Sequence, residues 1–212
     1  PAARAAIREE VERALRGHDG PVWLEPPQVE AVLRAAGIVT AASRVVPVPH
    51  AASAAGEIGF PLVGKVAVPG LLHKSDVGGV ALGLDSADAV ARAVACMRER
   101  VREAGHALEH VLLQREVRGG IEALVGVVAH PTFGPLLVCG LGGVQVELLR
   151  DAAFHMPPVS DVDAAEMIDR LKMRALLDGY RGAPPGDHAA LVSLLQRVSA
   201  LVEALPELRE LD

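Results

Sequence analysis

Apolar side chains recur along this chain at two spacings, one suited to helices and one to strands, and the switches between them mark the elements. Ile7, Val11 and Leu15 share one helical face that ends at Gly17, so the first segment reads as a short amphipathic helix. A second helix opens at Pro26 and Pro27, carries Val29, Val32, Leu33 and Ala36 on one face, and stops at Gly37, where a left-handed residue closes a helix. Residues 44–48 read as a strand and are followed by a small alanine-rich helix ending at Gly59. Residues 60–68 are apolar and β-branched and are closed by the turn pair Pro69-Gly70, which predicts a buried strand carrying Lys65. A polar, glycine-bearing loop over 73–79 leads to a short strand at 80–84. The next helix takes Asp85 as its N-cap, has Asp88 three residues on, and aligns Val90, Val94, Met97 and Val101.

Residues 110–117 and 122–129 are both strand-like, and the short link holding Gly119 and Gly120 predicts a hairpin between them. Residues 136–139 form a further strand, and Gly140-Leu141-Gly142-Gly143 breaks the chain before the apolar stretch 144–149. Ser160 with Asp163 makes a capping box for a helix bearing Met167, Ile168 and Leu171. The last helix carries an unbroken stripe of Leu191, Leu194, Leu195, Val198, Leu201, Val202 and Leu205. Helices, then strand-loop-strand-helix, then a hairpin with more strands, then two helices make the class α+β with mixed sheets. A hinge at 114–117 would divide the chain into an N-terminal lobe with its preceding helices, 1–113, and a C-terminal lobe, 114–212.

Composition narrows the function classes. Half of the 212 residues are hydrophobic but only 2% are aromatic, so the core is aliphatic and base-stacking platforms are excluded. The net charge of -6 repels nucleic acid and anionic membranes, so any phosphate ligand needs a local site. Cys96 and Cys139 stand in apolar company without a second thiol or histidine at metal spacing, which predicts buried reduced thiols and a cytoplasmic protein. Residues 1–15 alternate charge with alanine, unlike a signal peptide. The longest apolar stretch, 133–149, is interrupted by four glycines, a proline, Gln145 and Glu147, unlike a membrane span.

The densest chemistry lies in His73-Lys74-Ser75-Asp76-Val77-Gly78-Gly79, on a loop between two apolar strands. Adjacent glycines let backbone amides crowd an anion, Lys74 adds positive charge, and His73 is a nucleophile or proton carrier. On these residues alone, phosphate handling and a solvated turn stand level. Lys65 inside an apolar strand needs an anionic partner, either a carboxylate in a salt bridge or a phosphate. Glu122 is either a solvated turn carboxylate or an acceptor for ribose hydroxyls. Gly140 to Gly143 matches neither a Rossmann fingerprint nor a P-loop and reads as a tight turn. The eight histidines contain no HExxH, and no Cys/His set has zinc spacing.

Several collinear stretches carry a resemblance. They are Gly59-Phe60-Pro61-Leu62-Val63-Gly64-Lys65, Leu72 through Val80, Gln114 with Gly119-Gly120-Ile121-Glu122, Phe133-Gly134-Pro135, Gly140-Leu141-Gly142-Gly143, residues 147–154, Gly179-Tyr180-Arg181-Gly182 and Glu210-Leu211-Asp212. Together they resemble the ATP-grasp domain of NDP-forming acyl-CoA synthetases, such as the ADP-forming acetyl-CoA synthetases. The resemblance implies two α+β lobes gripping ATP or ADP, with Lys65 on the phosphates, the backbone from Gln114 to Val117 at the adenine, and Glu122 facing ribose or phosphates. It implies His73 as the phosphoryl carrier, with Lys74, Ser75, Gly78 and Gly79 completing the binding loop. The partner would be a CoA-binding or CoA-ligase region of the same parent protein or of a partner subunit. The chain departs from the family's pattern at Gly64, Gly70, Arg115-Glu116 and His155, the last standing where the family has Arg. In the family the closing Glu-Leu-Asp runs on into a strand with metal-binding residues, so the Mg2+ site is expected to be incomplete in this chain. The alternative is a non-catalytic nucleotide- or acyl-CoA-sensing module of the kind fused to an acetyltransferase.

Overall fold

Two separate clusters of buried aliphatic side chains, each beneath its own antiparallel sheet, organise the chain. The computed structural model describes residues 2–68, 71, 74, 77–143 and 151–212. His73, Ser75 and the stretch 144–149 lie outside these residues. The described elements are, in order, α1 (Ala2–Leu15), α2 (Pro26–Ala35), β1 (Ser43–Pro47), α3 (Ala51–Ile58), β2 (Leu62–Ala67), β3 (Val80–Leu84), α4 (Ala87–Glu103) and β4 (His110–Arg115). They continue with β5 (Ala123–His130), β6 (Gly134–Leu141), β7 (Ala152–His155), α5 (Asp161–Asp169), α6 (Arg174–Leu177), α7 (His188–Ala204) and β8 (Glu210–Leu211).

The first sheet has the order β1-β4-β2-β3 and the second β7-β6-β5-β8. Every described pairing is antiparallel, where mixed sheets were expected. The α+β class stands, because α3 and α4 lie with the first sheet while α5 and α7 lie with the second. The expected hairpin is also corrected. β4 inserts between β1 and β2, whereas β5 pairs with β6 and β8. Apolar alternation shows that a segment is extended but not which edge it joins.

Strand periodicity sorts the first sheet into two faces. Leu62 and Val66 of β2 and Val111 and Leu113 of β4 join Val90, Val94, Met97 and Val101 of α4 in one core. Gly64 falls between Leu62 and Val66 on this face. A Cβ there would stand 3.2 Å from Leu84 Cδ1 and 3.5 Å from Met97 Cε, so these two side chains occupy the volume that a larger residue would fill. The intervening positions, Val63 and Lys65, therefore face the other way.

Packing divides the chain into one unit of Leu24–Glu30 with Thr40–Arg118 and another of Pro1–Trp23, Ala31–Val39 and Gly119–Asp212. A single cut at residue 114 does not separate them. α1 belongs with the later unit because Ile7 and Val11 are buried and α1 packs on α7, where the Arg4 Nη2 donates to the Glu203 carbonyl at 2.9 Å.

Helix starts follow side-chain capping. Ser86, not Asp85, caps α4, its hydroxyl accepting from the Ala89 amide at 3.2 Å, while Asp85 pairs with Arg118 at 3.0 Å. Ser160 and Asp163 form the expected capping box on α5. Cys139 is buried, but Cys96 is exposed on α4, because its position falls off the stripe set by Val94, Met97 and Val101. Among the described residues no helix is long and apolar enough to cross a membrane.

Replacing Ser160 by Ala removes the acceptor for the Asp163 amide and is expected to cost about 1 kcal/mol of stability. Urea unfolding of the variant checks this, and an unchanged midpoint would show that the box contributes nothing.

Candidate functional site

Lys65 stands in the middle of β2, with Val80 of β3 and Leu112 of β4 as its cross-strand neighbours. The sheet thus surrounds the root of this side chain with apolar groups and leaves it half-buried. Gln114 lies opposite Val63 in the register, two residues along from Leu112, so it shares a face with Lys65 at a diagonal position. The Lys65 Nζ donates to Gln114 Oε1 at 2.9 Å. Among the described residues no carboxylate pairs with this ammonium. Burial holds its pKa below the usual lysine range, and the positive charge of Lys74 lowers it further.

Lys74, Gly78 and Gly79 are brought to the same strand by backbone contacts. The Gly79 carbonyl accepts from the Val66 amide at 2.8 Å, and the Gly79 amide donates to the Lys74 carbonyl at 2.7 Å. A Cβ on Gly79 would stand 2.8 Å from that Lys74 oxygen and 2.5 Å from Val66 Cγ2, so close backbone approach requires glycine there. The Gly79 amide is thus engaged within the chain, and the two backbone bonds of Gly79 tie Lys74 to β2. Gly78 has φ +61° and lies under Arg100 of α4, whose Nη1 donates to the Gly78 carbonyl at 3.3 Å.

Around the expected hinge, the Glu116 amide donates to the Pro61 carbonyl at 2.9 Å, and the Glu116 carboxylate pairs with Arg118 at 2.8 Å. Val117 is 80% exposed. The Arg115 side chain passes over Gly59, at 2.7 Å from where a Cβ would stand.

In the other unit, Glu122 meets the glycine turn. The Gly142 amide donates to the Glu122 carbonyl at 2.6 Å, and a Cβ on Gly143 would run into the Glu122 carboxylate. Gly140 is equally constrained, with the Asp151 carbonyl 2.5 Å from a would-be Cβ. The turn read at Gly140 to Gly143 is thus shorter than expected: Gly140 lies in β6 and lets that strand pass against Asp151, while Gly142 and Gly143 lie beyond its end and let the chain pass against Glu122. Asp151 in turn accepts from the Lys172 amide at 2.9 Å and the Met173 amide at 2.8 Å. It also adds to the burial that pushes the Cys139 thiol up to about 11, so this thiol is inert at neutral pH. His155 donates from Nδ1 to the Met156 carbonyl at 2.7 Å and presents Nε2 to Asp163 at 3.7 Å. Hydrogen bonds from the Ser160 hydroxyl and amide, with His155 as a lesser cause, hold the Asp163 carboxyl below its usual range.

The structure therefore puts Lys65 and Gln114 on one face of the first sheet, ties Lys74 and Gly79 to β2 by backbone hydrogen bonds with Gly78 beside them, and sets Glu122 against the glycine turn in the other unit. Arg100 and Asp151 escaped the sequence reading. Arg100 looks like any polar-face helix residue, and Asp151 is separated in sequence from the amides it holds.

The ATP-grasp domain family matches residues 16–212. This chain belongs to that family. Its relatives place it among the ADP-forming acyl-CoA ligases. It is 34% identical over 211 residues to the beta subunit of acetate–CoA ligase [ADP-forming] I of Pyrococcus furiosus, covering 98% of this chain and 90% of that subunit. It is 39% identical over 165 residues to the 4-hydroxybutyrate–CoA ligase [ADP-forming] of Nitrosopumilus maritimus, covering 77% of this chain but 24% of that ligase. The chain thus spans nearly the whole of one curated relative and about a quarter of the other. The acetyl-coenzyme A synthetase 1 of Ca. Korarchaeum cryptofilum, in complex with coenzyme A, Ca-AMPCP and HgCl+, superposes with a TM-score of 0.87 at 35% identity, over 96% of this chain and 89% of that one. A second structure of that synthetase, with coenzyme A and Mg-AMPPCP and with its phosphohistidine segment pointing towards the nucleotide binding site, gives 0.77 at 33% identity over 98% and 89% of the two chains.

In this ATP-grasp domain the depressed pKa of Lys65 has a thermodynamic sign. The folded chain sheds the Lys65 proton at lower pH than the unfolded chain, so the unfolded state binds more protons between the two pKa values and stability rises with pH across that window. Below the window the charged ammonium is a cost of folding. Lys65→Met is therefore expected to raise the melting temperature at pH 7, by an increment that shrinks as pH rises towards 10.5, the usual lysine value. Calorimetric melting at several pH values checks this, and a destabilised variant at pH 7 would contradict it.

Proposed function

We propose that this chain is the nucleotide-binding part of an NDP-forming acyl-CoA synthetase, which interconverts acyl-CoA, ADP and phosphate with a free acid, CoA and ATP. The observation that supports it is the half-buried Lys65 ammonium, which is tied to the neutral Gln114 amide and has Lys74 as a second cation nearby. A half-buried cation with a second cation nearby, and with no carboxylate paired to it among the described residues, favours a polyanion such as a nucleotide phosphate. No observation favours the sensing-module alternative.

In this reading Lys65 and Lys74 hold phosphate oxygens, with Ser75 and Gly78 completing the loop. Gln114 orients Lys65, the backbone to Val117 meets the adenine, and Glu122 accepts from ribose hydroxyls or faces the phosphates. His73 carries the phosphoryl group. Acyl-CoA and phosphate first give acyl phosphate in a CoA-binding region, of the same parent protein or of a partner subunit, with CoA leaving as the thiol. A neutral imidazole nitrogen of His73 attacks the phosphorus of that acyl phosphate. The N–P bond forms and the bond to the carboxylate oxygen breaks, releasing the acid. A terminal oxygen of ADP then attacks the same phosphorus, forming ATP and restoring the imidazole. A covalent carrier keeps the phosphoryl group from water between two distant sites. Among the described residues no three of His, Cys, Asp or Glu come together as a metal site. Mg2+ asks for one or two carboxylates beside substrate phosphates and water, so it would enter this site with the nucleotide, and the steps above are drawn without it.

Isothermal titration with ADP tests the phosphate reading. Lys65→Met is expected to lose ~1.5–3 kcal/mol of binding free energy, the worth of a charged hydrogen bond. Equal affinity in both proteins would remove Lys65 from the site. Rapid quenching with γ-labelled ATP under alkaline conditions, followed by peptide mapping, tests the carrier. Label is expected on the peptide holding His73, and its absence in a protein that still turns over would leave His73 as a binding residue only.

A further inference from the structure

We propose that Arg100 of α4 is a positioning residue for nucleotide binding, because by holding Gly78 it fixes Lys74 against strand β2. This rests on the phosphate-binding reading of Lys65 and Lys74. The chain of contacts is continuous. α4 is anchored by Met97, which is 2% exposed, and by Val101, which is fully buried, so the backbone between them is set by the core. From that fixed point the Arg100 side chain runs along the Gly78 backbone. A Cβ on Gly78 would stand 2.6 Å from Arg100 Nη1 and 2.9 Å from its Cδ, and the φ of +61° is one that other residues rarely adopt. Glycine at 78 is what lets the guanidinium lie there and donate to the Gly78 carbonyl. The next residue, Gly79, then makes both bonds that matter, accepting from Val66 on β2 and donating to Lys74.

The use made of this guanidinium sets it apart on its own helix. Arg102, two residues on, closes an ordinary surface pair with Glu99 at 2.5 Å. Arg100 has no carboxylate partner among the described residues and spends its hydrogen bond on a neutral carbonyl of a segment far away in sequence. Without that bond the segment samples more conformations, the fraction with Lys74 in place falls, and apparent nucleotide affinity falls with it.

The test measures ADP dissociation constants in the complete protein for Arg100→Ala, Arg100→Lys, Gly78→Ala, Lys65→Met, Lys74→Met and the double variant Arg100→Ala/Lys74→Met, with Arg102→Ala as a control. Melting temperatures establish that each variant is folded. Arg100→Ala is expected to weaken ADP about tenfold, which corresponds to a productive fraction of about one in ten. Gly78→Ala pushes the guanidinium aside and is expected to act alike, Arg100→Lys to recover part of the loss, and Arg102→Ala to match wild type. Because Arg100 acts through Lys74, the double variant is expected to bind no worse than about twofold below Lys74→Met alone. Losses that multiply in the double variant would overturn the proposal, because they would show two independent effects. If Lys65→Met and Lys74→Met weaken ADP while Arg100→Ala and Gly78→Ala do not, the positioning role is wrong and the phosphate site stands. If the lysine variants bind ADP as wild type does, the phosphate reading itself fails and the positioning role fails with it. Should Arg100→Ala not fold, Gly78→Ala and Arg100→Lys carry the same comparison.

Discussion

A lysine ammonium held in the middle of an apolar strand, with a neutral amide as its hydrogen-bond partner among the described residues, is the constraint on which the rest of this domain turns. Removing a charge from water is costly, and the hydrogen bond to Gln114 offsets only part of that cost. The chain makes matters worse for itself by bringing Lys74 near. An arrangement that lowers the stability of the empty protein, and that an anion would relieve, is what a phosphate-binding site looks like before its ligand arrives. With the phosphate role proposed above, Lys65 would link stability and binding with opposite signs.

The fold supplies this position through simple geometry. Period-two alternation sends Leu62 and Val66 into the core and turns Lys65 the other way, and the antiparallel register places Gln114 on the same face. Gly79 brings the glycine-bearing segment against β2 because no Cβ intervenes, and Arg100 reaches that segment from a helix fixed by four buried side chains. The second unit uses glycine in the same way, its turn at Gly142 and Gly143 making room for Glu122.

Much of this was legible in the sequence. The strand around Lys65, the capping box at Ser160 and the stripe on α7 follow from local spacing, and local spacing is what periodicity reads. The hairpin at 110–129 failed because strand pairing is a long-range choice: β4 finds its partners in β1 and β2, while β5 finds β6 and β8. Assigning α1 to the leading lobe failed for the same reason, since its buried face packs on a helix near the other end of the chain. The N-cap of α4 moved by one residue because Arg118, 33 positions from Asp85, draws that carboxylate away. In the candidate site, Lys65 and Gln114 were found from an apolar run and a motif. Arg100 was not, because nothing in the sequence of a helix tells which of several arginines will reach back to a glycine carbonyl.

The most direct test of the central claim is the pKa of Lys65 itself, followed by heteronuclear NMR of the lysine side chains with and without saturating ADP, Lys65→Met giving the assignment. In the free protein the Lys65 pKa is expected below the usual lysine range, and with ADP bound it is expected to rise, because the charged form is the one the phosphates prefer. A Lys65 pKa that is depressed in the free protein and stays unmoved by saturating ADP would contradict it.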